Sequence, residues 1–371
     1  MSRTSLELRS TITPDGILRI NLERVPVPEP AAGELLVRVE AAPINPSDLG
    51  LLLGPADMAS LKAEGTAADP VLTAKVSEQG LAAVRARVGQ SMPVGNEGAG
   101  TVIAAGPDLA HLVGKRVSMI GGAMYAELRL IPLQACIVLP DGASAAEGAS
   151  MFVNPLTALG FIETMRAEGH QAIIHVPAAS NLGQMLVRIC KDDGIGLVNI
   201  VRSPQQAAML RDLGATHVVD SSAPDFREKL EHAIAEKGAT LAFDAIGGGE
   251  MTGTILNAME AVALRSMPAY DRYGSATKKQ VYIYGALDTG PTTLRRGFGF
   301  SWGIGGWLLF HFLQRTDPAI VQRMRERVAA EMTTTFASHY TATISLTEAL
   351  KPEIVAAYQK KTTGEKYLIV P

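Results

Sequence analysis

Cysteine is nearly absent from this 371-residue chain, which has only Cys136 and Cys190. Two cysteines allow at most one disulfide and exclude any four-cysteine metal site. Neither sign of charge is in excess: 34 Lys and Arg residues face 37 Asp and Glu, a formal net charge of −3. That balance gives no electrostatic footprint for nucleic acid and no basic stripe for a membrane surface. Long apolar runs are missing too, since Gly306–Leu313 is the most apolar stretch and falls far short of a membrane span. Met1–Gly16 lacks the apolar core of a secretory signal, so a soluble, cytoplasmic protein is expected. What is there suffices for large buried cores: 47% of residues are apolar and 19% charged. The length suits two domains.

The periodicity changes along the chain. Ile17–Leu22 and Glu34–Val39 alternate apolar and polar residues as strands do, and a second β-rich stretch covers Gly98–Leu139. Between them, the Ala, Leu, Val, Lys and Glu content of Ala56–Gln90 favours an inserted helical segment, with a mobile loop as the alternative. From Ala145 the pattern becomes helical, and short apolar strands then alternate with helices from Ala172 to Tyr284. This alternation predicts βαβ units and a doubly wound parallel sheet. β character returns at His339–Ile344 and Lys366–Val370. The expected architecture is therefore α/β, with residues 1–150 and 336–371 forming one β-rich domain around an inserted nucleotide-binding domain, 151–335.

The turn after the first βαβ strand lacks the usual three-glycine fingerprint. It reads His175-Val-Pro-Ala-Ala-Ser-Asn-Leu-Gly183, so Ala178, Ala179 and Ser180 stand where glycines would lie, followed by Asn181, Leu182 and Gly183. Small residues there let backbone N–H groups reach a pyrophosphate at a helix N-terminus, although an ordinary βα turn would look similar. The second strand ends in Arg202 and Ser203, with no carboxylate before Asp212. Arg suits a ribose 2′-phosphate where an acid would suit a 2′-hydroxyl, so NADP (NADPH) is the expected cofactor. Later in the same region, Tyr284, Gly285 and Ala286 should bring backbone close to the cofactor at a strand end.

Six short segments then combine into a resemblance: Ala42-Pro-Ile-Asn-Pro-Ser-Asp48, Gly95-Asn-Glu-Gly-Ala-Gly100, Asn154-Pro-Leu-Thr157, Leu213–Asp220, Asp244-Ala-Ile-Gly247 and Tyr284-Gly285. In this order they resemble the medium-chain dehydrogenase/reductase superfamily, and within it the zinc-free quinone oxidoreductases and mitochondrial-type trans-2-enoyl thioester reductases. The resemblance implies a Rossmann sheet inserted into a GroES-like domain. It adds Ile246 and Gly247 to the cofactor site, and main-chain groups near Leu308 and Leu309 on a last strand, Gly305–Phe310. Lys366 joins them as a cofactor contact. It also implies a homodimer through that last strand.

Zinc-binding relatives carry a Cys in the segment matching Asn45–Asp48 and a His in a Gly-His-Glu triplet. Here Asn45 stands in the first and Gly95-Asn96-Glu97 in the second, which leaves no thiolate or imidazole. No metal site is expected. Without a metal, and without a Tyr-x-x-x-Lys pair, alcohol oxidation is disfavoured. Reduction of an electron-poor C=C bond or a quinone needs only hydrogen-bond donors for the developing oxygen charge, which Asn45, Asn154 and Thr157 can supply as catalytic residues. Enoyl thioester reductases also carry a Tyr soon after the Asn-Pro-Ser-Asp segment, and Leu51–Asp57 has none. The expected function is NADPH-dependent hydride transfer to a quinone or α,β-unsaturated carbonyl compound. Enoyl thioester reduction and non-catalytic NADPH binding are its alternatives.

Overall fold

The computed structural model describes residues 3–360 and 366–371. Along the chain, β1 (Arg3–Ile12), β2 (Ile17–Val27) and β3 (Glu34–Pro43) lead through α1 (Leu49–Leu52) to β4 (Ala56–Gly65) and β5 (Pro70–Val76). Helix α2 (Glu78–Ala83) and β6 (Met92–Pro93) precede β7 (Glu97–Ala105), β8 (Arg116–Ile120), β9 (Leu128–Pro132) and β10 (Cys136–Val138). After α3 (Ala145–Gly148) and α4 (Val153–Ala167) the alternating series begins with β11 (Ala172–Val176), α5 (Asn181–Asp192), β12 (Gly196–Val201), α6 (Pro204–Asp212) and β13 (His217–Asp220). It continues through α7 (Phe226–Lys237), β14 (Leu241–Asp244), β15 (Gly247–Gly249), α8 (Met251–Arg265), β16 (Lys279–Ile283), β17 (Asp288–Thr292) and β18 (Trp302–Gly306). Helices α9 (Leu309–Arg315) and α10 (Pro318–Ala330), then β19 (Ala342–Ile344), α11 (Pro352–Gln359) and β20 (Tyr367–Ile369), complete it.

The chain divides into two compact units, Met1–Val153 with Arg325–Pro371, and Asn154–Met324. The first holds two sheets, ordered β4-β5-β2-β1-β6 and β10-β8-β7-β3-β20-β19, with β9 also pairing β3. Its core gathers the inward residues of both, such as Leu8, Leu18, Ile20, Val37, Val102 and Ile369. The second unit is a parallel sheet ordered β13-β12-β11-β14-β16-β18. The five residues of β11 are all buried, as a strand covered on both faces requires. Helix α5 meets this sheet with Leu182, Met185, Leu186 and Ile189, spaced i, i+3, i+4, i+7. The architecture is thus a doubly wound parallel sheet inserted between two parts of a β-rich unit. Both cysteines are buried, and neither is part of a disulfide.

Three expectations need correction. Ala56–Gln90 is not a helical insertion. Most of it is the β4–β5 hairpin, and only α2 and a 3-10 turn at Arg85–Arg87 are helical. The reason lies in β5, where Leu72, Ala74 and Val76 turn inward while Thr73 and Lys75 turn outward. Pairing with β2, in the register Ile20↔Leu72 and Ile17↔Lys75, buries that face and overrides the helix propensity of the composition. The helical pattern expected from Ala145 is interrupted between α3 and α4. The last strand ends at Gly306, and Leu309 already begins a helix, so Leu308 and Leu309 lie beyond the strand on which they were expected.

Candidate active site

The inserted sheet reverses its winding between β11 and β14: β12 and β13 build outward on one side, β14, β16 and β18 on the other. At such a switch point the loops after adjacent strands part and leave a crevice at the carboxyl ends. The backbone there is tightly cross-tied, with Ala245 N–H donating to Val176 C=O (2.9 Å), Ala178 N–H to Ile200 C=O (2.9 Å) and Tyr284 N–H to Asp244 C=O (2.9 Å).

The turn from β11 into α5 is made of buried Ala178 and Ala179, then Ser180, whose Oγ accepts from Gly183 N–H at 3.1 Å and caps the helix. Gly183 has no alternative, because a Cβ there would stand 2.0 Å from the Ala178 carbonyl oxygen. Asn181 and Leu182 fill the first turn of α5. At the end of β12, Arg202 is exposed and its N–H donates to Gln206 Oε1 (3.1 Å), while Ser203 caps α6 by accepting from Gln206 N–H (3.3 Å). On the neighbouring strand β13, Asp220 pairs in register with Val201, and its carboxylate accepts from the Ser222 N–H and hydroxyl (2.9 and 2.8 Å).

On the other side of the switch point, buried Asp244 organises the loop. Its carboxylate accepts from Ile246 N–H (2.7 Å), Gly247 N–H (3.3 Å) and Thr252 Oγ1–H (2.7 Å), and burial pushes its pKa up. Sequence reasoning quoted Asp244 only as part of a motif and missed this role. Its place as the last residue of an apolar strand before a glycine run was the available signal. Gly247 has φ of +79°, and a Cβ on it would lie 2.9 Å from Gly285 O. One on Gly285 would lie 2.8 Å from Ala245 O. Ile246, Gly247, Gly285 and Ala286 therefore make a ledge of bare backbone. Tyr284 turns away from that ledge, its hydroxyl 2.7 Å from His175 Nε2, among Phe161, Phe243 and Trp307.

The β-rich unit holds a separate polar cluster. Asn45 is buried, with its N–H donating to Asp48 Oδ2 (2.7 Å) and its Nδ2 to Glu97 Oε1 (2.8 Å), while its Oδ1 has no partner. Asp48 also accepts from Asn96 N–H (2.8 Å), and burial raises its carboxyl to about 7. Glu97 Oε2 accepts from the N–H groups of both Phe152 (2.9 Å) and Val153 (2.8 Å). Lys366 donates to Ser150 Oγ at 2.7 Å, and burial lowers its amine to about 8. Of the three residues expected to be catalytic, Asn45 belongs to this unit, while half-buried Asn154 and buried Thr157 lie at the start of α4 in the other. Lys366 stands in the β-rich unit, whereas the other expected cofactor contacts are all in the inserted unit.

At Gly183, Gly247 and Gly285 a Cβ would run into a neighbouring carbonyl oxygen, so backbone packs on backbone at the switch-point turn and ledge, the close packing that a dinucleotide-binding turn requires. Zinc is not matched in this way. Asn45 and Asn96 offer amides, which are poor zinc ligands, and the Asn96 Nδ2 already donates to Ser47 Oγ (3.0 Å). Among the described residues no three His, Cys, Asp or Glu side chains come together as a metal site.

A family model described as zinc-binding dehydrogenase matches residues 182–263, within the inserted unit. A zinc-type alcohol dehydrogenase-like protein of Schizosaccharomyces pombe is 28% identical over 279 residues, covering 72% of each chain. The mitochondrial enoyl-acyl-carrier-protein reductase of Xenopus tropicalis is 26% identical over 247 residues, 63% of this chain and 61% of that protein. Among solved structures, a Mesorhizobium loti protein assigned as an NADPH:quinone reductase superposes with a TM-score of 0.73 at 25% identity, covering 100% of both chains. That likeness covers the whole of both chains, and the chain is similar to medium-chain dehydrogenases and reductases, with quinone reductases and an enoyl reductase among its relatives.

Proposed function

We propose that this oxidoreductase uses NADPH, works without zinc, and transfers hydride to a quinone or an α,β-unsaturated carbonyl compound. The observation that carries the reading is the glycine-lined switch point with Arg202, rather than a carboxylate, closing the second strand. Ser180, Asn181 and Leu182 would hold the pyrophosphate at the start of α5, and Arg202 with Ser203 the 2′-phosphate. The ledge Ile246–Gly247 and Gly285–Ala286, with main-chain groups of Leu308 and Leu309, would flank the nicotinamide half.

The bound cofactor supplies a hydride, hence two electrons, to the electrophilic carbon. Asn45, Asn154 and Thr157 have neutral N–H and O–H donors suited to the oxygen on which negative charge then develops, and one proton completes the product. The β-rich unit, with residues 325–371, would serve as the GroES-like substrate domain. Among the described residues β18 pairs with β16 alone and is a sheet edge, which suits pairing with a second copy of this chain in a homodimer. No helix among the described residues is long and apolar enough to cross a membrane, and a cytoplasmic location is part of the proposal.

The likeness to an enoyl-acyl-carrier-protein reductase supports a second reading, trans-2-enoyl thioester reduction. Against it, Leu51–Asp57 supplies no tyrosine. Turnover by chelator-treated enzyme against a quinone, a 2-alkenal and a 2-enoyl thioester separates the readings. Quinone or alkenal reduction supports the first, thioester reduction alone the second, and tight NADPH binding without turnover would overturn both in favour of a binding protein.

A further inference from the structure

Glu97 is fully buried at the start of β7, yet its carboxylate is spent on a segment more than fifty residues away. One oxygen takes both N–H groups of Phe152 and Val153, and the other takes the Asn45 amide. Val153 is the last residue of the β-rich unit and the first of α4. A helix start leaves its leading N–H groups without helical partners, and an anion there satisfies them and complements the helix dipole. Pro155, in the first turn, has no N–H of its own to offer. Glu97 is thus a cap supplied from a distant strand.

The same few residues are gripped a second time. Ser150 Oγ receives the Lys366 ammonium (2.7 Å) and meets the Tyr340 hydroxyl (2.8 Å), which in turn donates to Ala146 C=O (3.1 Å). Residues 150–153 are therefore held at both ends, by Lys366 and Tyr340 at one and Glu97 at the other. The next residue is Asn154, and Thr157 follows one turn on. A helix start displaced by even a fraction of an ångström moves both side chains together, and small misplacements of reacting groups are costly in rate.

We propose that Glu97 is a positioning residue for hydride transfer: by holding the Phe152 and Val153 N–H groups it fixes the start of α4, and with it Asn154 and Thr157. This rests on the reductase reading above. The Asn45 Oδ1 atom, which has no partner, supplies an internal control. In Glu97→Gln the remaining carbonyl oxygen can still accept both N–H groups, and the new Nε2 can donate to Asn45 once that amide turns over. Glu97→Ala offers neither.

The test measures amide hydrogen exchange across residues 150–160 and steady-state kinetics with the best quinone or enone acceptor. Glu97→Ala should exchange faster there and lose at least about tenfold in kcat per folded enzyme, with a changed deuterium isotope effect from 4-deuterated NADPH. Its NADPH affinity should stay within about threefold, and Glu97→Gln should recover most of both losses. If Glu97→Ala does not fold, Glu97→Asp, which keeps the charge but is one methylene shorter, takes its place with the same expectations. A variant that is merely less stable, with unaltered exchange, kcat and isotope effect, overturns the proposal. Faster exchange with unaltered kcat also overturns it, leaving a cap without a role in the reaction. A wild-type enzyme inert toward every acceptor overturns the reductase reading itself, and is recognised without any variant.

Discussion

The Tyr284 hydroxyl and His175 Nε2 lie 2.7 Å apart within the inserted unit, and Nδ1 on the other side of the imidazole has no partner. Burial drives the imidazole from its ordinary 6.5 down to about 3, so the ring is neutral at physiological pH. The unfolded ring takes up its proton near 6.5 and the folded one only near 3. Between those values the unfolded state holds the extra proton, and stability falls as the pH falls. Denaturant unfolding between pH 7 and 4 should show the wild type losing up to about 1.4 kcal/mol per pH unit more than His175→Gln. Parallel pH profiles would contradict the assignment.

Gly183 leaves no room for a side chain. Gly183→Ala should destabilise the inserted unit by more than about 2 kcal/mol or splay the turn, weakening NADPH binding in either case. Gly50→Ala is the comparison, since a Cβ there meets nothing within 4 Å. Thermal melts and NADPH titrations of both variants decide the matter, and a Gly183→Ala protein indistinguishable from wild type would refute the packing argument.

Arg202 is exposed at the end of β12 with no carboxylate on the same strand end. The wild type should prefer NADPH over NADH by at least about tenfold, roughly 1.4 kcal/mol, within reach of one charge-assisted contact. Arg202→Ala should erase most of that preference by weakening NADPH alone. Equal affinities in the wild type would remove the basis for the cofactor choice.

The β4–β5 hairpin belongs to the core of its unit, where Leu72 is fully buried against β2. Leu72→Ala should cost about 2 to 5 kcal/mol, while Lys62→Ala on exposed β4 should cost almost nothing. A mobile loop, the alternative expected from the sequence, would show small effects at both positions. Equilibrium unfolding of the two variants distinguishes the pictures.

Much of this was legible in the sequence, and the failures share a cause. The βαβ series could be read because strands such as Ala172–Val176 are short, mostly apolar and punctuated by turns. Gly183 and Gly285 were expected at points of close backbone approach, where a Cβ would meet a neighbouring carbonyl oxygen, whereas Gly247 came only with the family resemblance. The hairpin was missed because its Ala, Leu, Lys and Glu content suits a helix, and only β2 across the sheet turns Leu72, Ala74 and Val76 inward. The work of Glu97 was hidden for a similar reason: its partners Phe152 and Val153 donate through backbone N–H groups, which no side-chain motif records. Asp244 shows the same limit, since two of its three donors are backbone.

The central claim is hydride transfer from NADPH to an electrophilic acceptor. The most direct measurement incubates the enzyme with 4-deuterated NADPH, prepared separately with deuterium on each face of the ring, and an enone, and locates the label in the product. The account predicts that one of the two cofactors delivers deuterium to the β-carbon, with the α-proton drawn from water, in undiminished yield after chelator treatment. Product with no label from either cofactor, or activity abolished by the chelator and restored by zinc, would contradict it.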